Sequence, residues 1–284
     1  MSNNYYDDNH DLRFYVEKCI DWESVVQTTE FDYRQKGGPK DAEEALDLYR
    51  DMFAMVGSLV ADEIAPHVAA IDRQGVSMKD GHVHESPEMR KIFDRINEQD
   101  LHWMTLPREL GGMNMPMLCY FINTEIFARA DVSVTAHHGF HGGMAMAMLL
   151  FSIREGTTVF DPETAELVET RFREEIEEIC NGRAWGAMDI TEPDAGSDMA
   201  AMRSVGEEDE NGDWVVTGNK IFITSGHGKY HVVIARTEKA GDPNDPFAGL
   251  KGLSLFLVPL YRDEEDGTRT WLGSIDRIEE KMGQ

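Results

Sequence analysis

Two short runs hold the residues whose types and order could do chemistry. The first is Trp185-Gly-Ala-Met-Asp-Ile-Thr-Glu-Pro-Asp-Ala-Gly-Ser-Asp198. Its front half reads as a strand, and Asp-Ala-Gly-Ser-Asp then turns the chain sharply. The second is Lys220-Ile-Phe-Ile-Thr-Ser-Gly226, which the pattern predicts to be the return strand of a hairpin. In a strand Phe222 and Thr224 share a face, and a ring beside a hydroxyl makes a platform for a flat heterocycle. Taken singly, Phe222 reads as strand core, Thr191 as a turn hydroxyl and Ser197-Asp198 as a plain turn.

Other candidates are weaker. His137, His138 and His141 lie in a Gly- and Met-rich helical stretch. Their spacing is not a His-Glu-x-x-His metal motif, so helix packing or the lining of a pocket is the better reading, and no metal is assigned. Gly226-His-Gly-Lys-Tyr-His231 lacks the Gly-x-Gly-x-x-Gly spacing and opens no helix, which excludes a dinucleotide fingerprint. Met144, Met146 and Met148 read as pliable core.

The elements that must position these residues fall into two blocks. Up to about residue 180 the apolar spacing is helical. Leu46, Tyr49, Met52, Phe53, Val56, Leu59, Val60 and Ile64 form one face that Pro66 ends. Ser86-Pro87 reads as a cap with proline at the first helical position, two helices break near Ala130-Asp131, and another helix is expected from Asp161 to Cys180. From Trp185 the pattern is strand-like: Trp214–Val216 and Lys220–Thr224 around Thr217-Gly-Asn219, then Tyr230–Arg236 and Leu253–Leu260, joined by a loop from Glu238 to Gly249. The fold class is therefore α+β, with the change of character near residue 182.

The chain carries 27 Lys+Arg against 53 Asp+Glu, a formal charge of −26, which disfavours nucleic acid and anionic lipid as partners. An anionic ligand would have to be held by backbone N–H groups and hydroxyls. Cys19, Cys119 and Cys180 are widely spaced and read as reduced thiols, no signal-like amino-terminal stretch occurs, and no apolar run approaches the ~20 residues of a membrane span. These features point to a cytoplasmic protein without membrane insertion.

The two runs, at this separation, resemble the middle domain of the acyl-CoA dehydrogenases, where Thr-Glu-Pro-x-Ala-Gly-Ser-Asp precedes a strand reading aromatic-Ile-Thr-x-Gly. Leu101-His-Trp-Met-Thr-Leu-Pro-Arg-Glu-Leu-Gly-Gly112 is similar to that family's glycine-glycine loop, and Glu125–Ser133 to its next helix end. Lys251–Pro259 and Ile278-Glu-Glu-Lys-Met-Gly283 fit as well, and the Asp11-Leu-Arg-Phe14 segment resembles an extension of the bacterial branch that includes the methylmercaptopropionyl-CoA dehydrogenases.

The resemblance implies an extension over 1–40, a helical domain over 41–182 and a β-barrel-like or sandwich middle domain over 183–284, truncated near its end. The family's C-terminal helical bundle, which carries the catalytic glutamate, is expected to lie beyond this chain, so no catalytic residue is assigned here. FAD is the implied cofactor and an acyl-CoA thioester the implied substrate. Electron-transfer flavoprotein is the implied electron acceptor, and a homodimer or homotetramer the implied assembly of the full-length form. By the family pattern Met188, Ile190 and Thr191 meet the pyrimidine end of the flavin. Phe222, often Trp in the family, packs on the ring beside Ile223, and Thr224 donates toward N5. Ser197 contacts both FAD and CoA. Two alternatives stay open: a non-catalytic flavin- or CoA-binding subunit completed by another polypeptide, and an oxygen-using oxidase or monooxygenase relative.

Overall fold

The computed structural model describes residues 4–239 and 248–280. The described residues divide into two compact units: 4–76 with 85–183, and 77–84 with 184–239 and 248–280.

The helical unit opens with α1 (His10–Lys18) and α2 (Trp22–Thr29), each capped by a side chain: Asn9 accepts from Leu12 N and Asp21 from Ser24 N. Both pack on α3 (Ala42–Leu59), whose N-cap Asp41 accepts from Glu44 N at 2.9 Å. Ala45, Tyr49, Phe53 and Val56 recur every three or four residues and are all buried, so α3 is the spine of the core. Trp22 lies 5.6 Å from the Tyr49 ring, and Glu30 takes a bidentate ion pair from Arg108 at 2.8 Å. Asn4 is fastened to α3, reaching Ala54 O and Ser58 Oγ.

After α3 the helix widens into one π-turn, Val60–Ile64, and α4 (Val68–Gln74) begins just past Pro66, which has no N–H to continue the ladder. A small antiparallel hairpin follows, β1 (Ser77–Lys79) with β2 (His82–His84), whose contacts assign it to the second unit; His82 stacks on Trp271 at 4.6 Å. Ser86 then caps α5 (Pro87–Glu98), accepting from Met89 N at 3.1 Å with Pro87 in the first turn, as its sequence predicts. Next come α6 (Met117–Ala128) and α7 (Val132–Arg154), the latter capped by Asp131. No single helix among the described residues is long and apolar enough to cross a membrane.

The expected helix from Asp161 to Cys180 is corrected. Residues 159–169 form a hairpin, β3 (Val159–Phe160) with β4 (Leu167–Glu169), and only Arg173–Cys180 is helical, as α8. Asp161 is the cause: its carboxylate accepts from Glu163 N and Thr164 N, closing a turn, and Ala165 adopts φ +57°.

The second unit is built on β8 (Tyr230–Arg236), a mostly buried central strand. On one side it pairs in parallel with β5 (Gly186–Asp189) and touches β6 (Val205–Glu208) at its end. On the other it pairs antiparallel with β9 (Leu253–Pro259), from Tyr230↔Pro259 to Arg236↔Leu253. β7 (Trp214–Thr217) is an outer strand on β6, and β10 (Tyr261–Asp263) with β11 (Arg269–Trp271) makes a separate hairpin. Residues 240–247 of the expected Glu238–Gly249 loop and the Lys281–Gly283 end of the Ile278 motif lie outside the described residues.

The three histidines singled out in the sequence are core residues. His137, His138 and His141 of α7 meet His102 in the helical unit, where His102 and His141 stack at 4.1 Å. Phe93 packs on His137 and His141, and Phe127 on His138. Burial, and then the neighbouring imidazoles, hold the pKa values of His102 and His141 well below the ordinary histidine range, and His138 is brought down to about 4. A histidine whose folded pKa is depressed stabilises the fold above its unfolded value near 6.5, and that stability is lost as pH falls below it toward the folded pKa. Urea unfolding of the chain should therefore lose about 2–3 kcal/mol between pH 7.5 and 4.5 on account of His138 alone, and His138→Phe should flatten that slope. A stability independent of pH across this window would contradict the neutral, buried cluster.

Candidate functional site

The expected hairpin around Thr217-Gly218-Asn219 is corrected first. β7 pairs with β6, upstream, from Val205↔Thr217 to Glu208↔Trp214. The turn between them is built by Asp209, whose carboxylate accepts from Asn211 N and Asp213 N, with Gly212 at φ +86°. Residues 220–224 form no strand. Phe222 and Ser225 stand in the left-handed region, φ +58° and +57°, so strand alternation does not govern where Phe222 and Thr224 point. A left-handed non-glycine costs about 1 kcal/mol or more, and such residues gather where a site needs them held.

What holds them is an ion pair that sequence reasoning missed. Lys220 Nζ reaches Glu192 Oε1 at 2.8 Å, Ile190 O at 3.1 Å and Met202 Sδ at 3.4 Å, so its three donors are all used. Glu192 is 5% exposed and also accepts from Arg203 N at 2.7 Å and Ser204 N at 3.1 Å. Burial alone would push its carboxyl up; the hydrogen bonds from Lys220, Ser204 and Arg203 outweigh that and hold it at about 2. Glu192 is thus a permanently charged anchor rather than an acid–base group. With the lysine drawn inward, the main chain crosses under the Thr-Glu-Pro run, and Ile221 N donates to Thr191 O at 2.9 Å.

Each candidate has a definite place in this arrangement. Along β5, Ala187 and Asp189 are buried while Met188 and Ile190 are half-buried. Thr191 follows at the strand end, bonded to the 221 backbone. Glu192 and Ala195 exchange two backbone bonds that close the Glu-Pro-Asp-Ala loop, and Ser197 lies exposed just beyond it. Phe222 is 56% exposed, which rules out its reading as strand core; Ile223 is half-buried and Thr224 exposed. The structure thus brings Ile190 and Thr191 against the 220–222 segment. Among the described residues the hydroxyls of Thr191, Ser197 and Thr224 make no hydrogen bond to another residue.

Two further buried features escaped the sequence reading. Asp189 pairs with His231 of β8, and Trp185 Nε1 donates to Ser225 O at 3.3 Å. The signal for the first was present: an acid on the inward face of a strand needs a partner.

The arrangement suits a planar, hydrogen-bonding ligand. It offers uncommitted neutral hydroxyls and an exposed ring, and the nearby cations are already paired, Lys220 with Glu192 and Arg203 with Asp194 at 2.9 Å. Flavin carbonyls and ring nitrogens take such donors, so the residues present fit FAD.

Comparison with known families decides the relationship. The acyl-CoA dehydrogenase N-terminal domain matches residues 47–155 and the acyl-CoA dehydrogenase middle domain matches 187–284. The chain belongs to the acyl-CoA dehydrogenase family. One curated relative is the 3-methylmercaptopropionyl-CoA dehydrogenase of Ruegeria pomeroyi, 28% identical over 96% of this chain and 42% of that protein. Glutaryl-CoA dehydrogenase from Mycobacterium smegmatis shares the fold with a TM-score of 0.55 at 24% identity, over 75% of this chain and 46% of that one. So does an acyl-CoA dehydrogenase complexed with FAD from Bacillus anthracis, TM-score 0.55 at 17% identity, over 76% and 31%. The chain spans less than half the length of the curated relatives it matches.

Within this acyl-CoA dehydrogenase chain the buried pair should behave as a structural clamp. Lys220→Met leaves Glu192 charged and buried and should cost about 3–5 kcal/mol in urea unfolding. Lys220→Met with Glu192→Gln should recover more than half of that. A single substitution costing less than about 1 kcal/mol, within the range of an exposed ion pair, would contradict the clamp.

Proposed function

We propose that the β unit of this chain forms one wall of an FAD site, and that the protein oxidises an acyl-CoA thioester between its α and β carbons. The observation that carries this reading is the set of uncommitted hydroxyls on Thr191, Ser197 and Thr224, with Phe222 held exposed beside Thr191 in a left-handed conformation. Family membership and the FAD named for the Bacillus anthracis protein support it.

FAD, when bound, supplies a two-electron acceptor for hydride from the substrate's β carbon, while the α proton leaves to a base that none of this chain's assigned site residues supplies. The chain's own part is positioning and electrostatics. Thr191 and Thr224 offer O–H donors to the ring edge, where they favour the more negative reduced form. Phe222 gives an apolar face that keeps water from one side of the ring. Met188, Ile190 and Ile223, each half-buried, are the proposed apolar contacts to the ring. Ser197 supplies a neutral donor toward the nucleotide or CoA side, which suits a chain of charge −26 better than a basic patch. Glu192 takes no proton in this scheme, because its carboxylate is spent on Lys220 and two backbone amides. Electron-transfer flavoprotein is the proposed onward acceptor.

Titration of FAD into the chain should give a saturable change in flavin fluorescence. Thr191→Val and Thr224→Val should each weaken binding about five- to tenfold, the worth of one hydrogen bond. Absence of saturable binding, or binding indifferent to both substitutions, would overturn the assignment.

A further inference from the structure

Behind β5 lies a second buried polar pair. Asp189 is 8% exposed and His231 7%; Nδ1 of the ring faces both carboxylate oxygens, at 3.0 and 2.9 Å, and Nε2 faces Gly228 O at 3.2 Å. With an oxygen acceptor at each end, the ring bonds both partners only as a double donor. The ring, on the central strand β8, joins two groups from two other places: the strand that carries Met188 and leads into Ile190 and Thr191, and the turn that follows Phe222 and Thr224.

The Gly228 end is as fixed as the Asp189 end. A Cβ at Gly228 would come within 2.7 Å of both Cδ1 and the carbonyl oxygen of Trp185, so this backbone is pressed against Trp185 and its carbonyl has a definite direction. Trp185 O in turn accepts from Lys229 N at 2.9 Å and Tyr230 N at 3.2 Å. The turn therefore has an anchor at each end. Lys220 and Ile221 hold its start against Ile190, Glu192 and Thr191, and His231 holds its finish. Between them stand the two left-handed residues, Phe222 and Ser225, which need such restraint.

We propose that His231 is a positioning residue for the flavin site, a strut that sets the Thr224-bearing turn at a fixed distance from the Thr191 end of β5. The proposal rests on the flavin reading above. It adds that the two donors act as a pair because one buried imidazole connects the segments that carry them. Asp189 is the strut's footing: a buried carboxylate commits the Nδ1 proton and fixes the ring plane.

Two substitutions separate the two ends of the strut. His231→Asn places an amide N–H near the Nδ1 position and cannot reach Gly228; His231→Gln places one near Nε2 and gives up Asp189. Hydrogen exchange of the ligand-free chain and FAD titration are read on both. In H231N, exchange across 221–228 should rise about tenfold while the β8–β9 amides stay protected, and FAD affinity should fall about tenfold, the worth of one hydrogen bond. H231Q, which gives up the Asp189 footing, should show the same rise in exchange and fall in affinity, because the strut needs both ends. Unchanged exchange across 221–228 in H231N overturns the strut, and so does unchanged FAD affinity in a chain that otherwise binds FAD. If the unsubstituted chain binds no FAD, the flavin reading falls while exchange alone still decides whether His231 orders the turn. Should H231N fail to fold, Asp189→Asn is read the same way. Faster exchange across 221–228 supports the strut, and a change confined to β5 overturns it.

Discussion

A lysine ammonium buried against a glutamate organises the β unit's candidate site. Lys220 and Glu192 are 28 residues apart in sequence, and their contact at 2.8 Å closes the segment between them into one structure. Burying both charges is unfavourable unless every donor and acceptor finds a partner. Here each does: the ammonium meets Glu192, Ile190 O and Met202 Sδ, and the carboxylate meets Lys220 and the amides of Arg203 and Ser204. The arrangement is therefore directional. It brings the 220–222 backbone beneath Thr191 and leaves Phe222 in a conformation that a free chain would avoid. The hydroxyls proposed to meet FAD are placed by this interaction and take no part in it.

The same logic explains why acidic residues dominate this unit without supplying acid–base chemistry. Glu192 is held at about 2 by its donors, and Asp189 is engaged by His231. Asp209 is a turn builder whose carboxylate accepts backbone N–H groups, which lowers its pKa, and Asp161 plays the same part in the helical unit. In the helical unit the ionisable core is the reverse case, imidazoles kept neutral by burial among Phe93, Phe127 and one another. Both units use titratable side chains for architecture, each with its own response to acid.

Much of this was legible in the sequence because it is local. Ser86-Pro87 and the Ala130-Asp131 break are cap and turn signals within a few residues of the elements they bound. Tyr230–Arg236 is a continuous apolar run of strand length, as a central strand should be. The Thr-Glu-Pro run and the Phe-Ile-Thr run pointed to the acyl-CoA dehydrogenase family together, where singly they read as turn and core. What failed was non-local. Lys220-Ile-Phe-Ile-Thr224 alternates like a strand, and nothing within it reveals that Lys220 is drawn to Glu192 or that Phe222 takes φ +58°. Asp161-Pro162 looks like a helix start until its carboxylate is seen bonding the next two amides of a hairpin loop. His231 was passed over as part of a rejected glycine motif, although its ring links Asp189 of the first run to Gly228, just past the end of the second.

The central claim is that Thr191 and Thr224 are two edges of one flavin site held in place by the buried Lys220–Glu192 ion pair and the Asp189–His231 hydrogen bond. A crystal structure of the chain grown with FAD tests it most directly. The account expects the isoalloxazine ring with Phe222 against it and the Thr191 and Thr224 hydroxyls within hydrogen-bond distance of its edge. A ring bound elsewhere, or one that leaves both hydroxyls facing solvent, would contradict it.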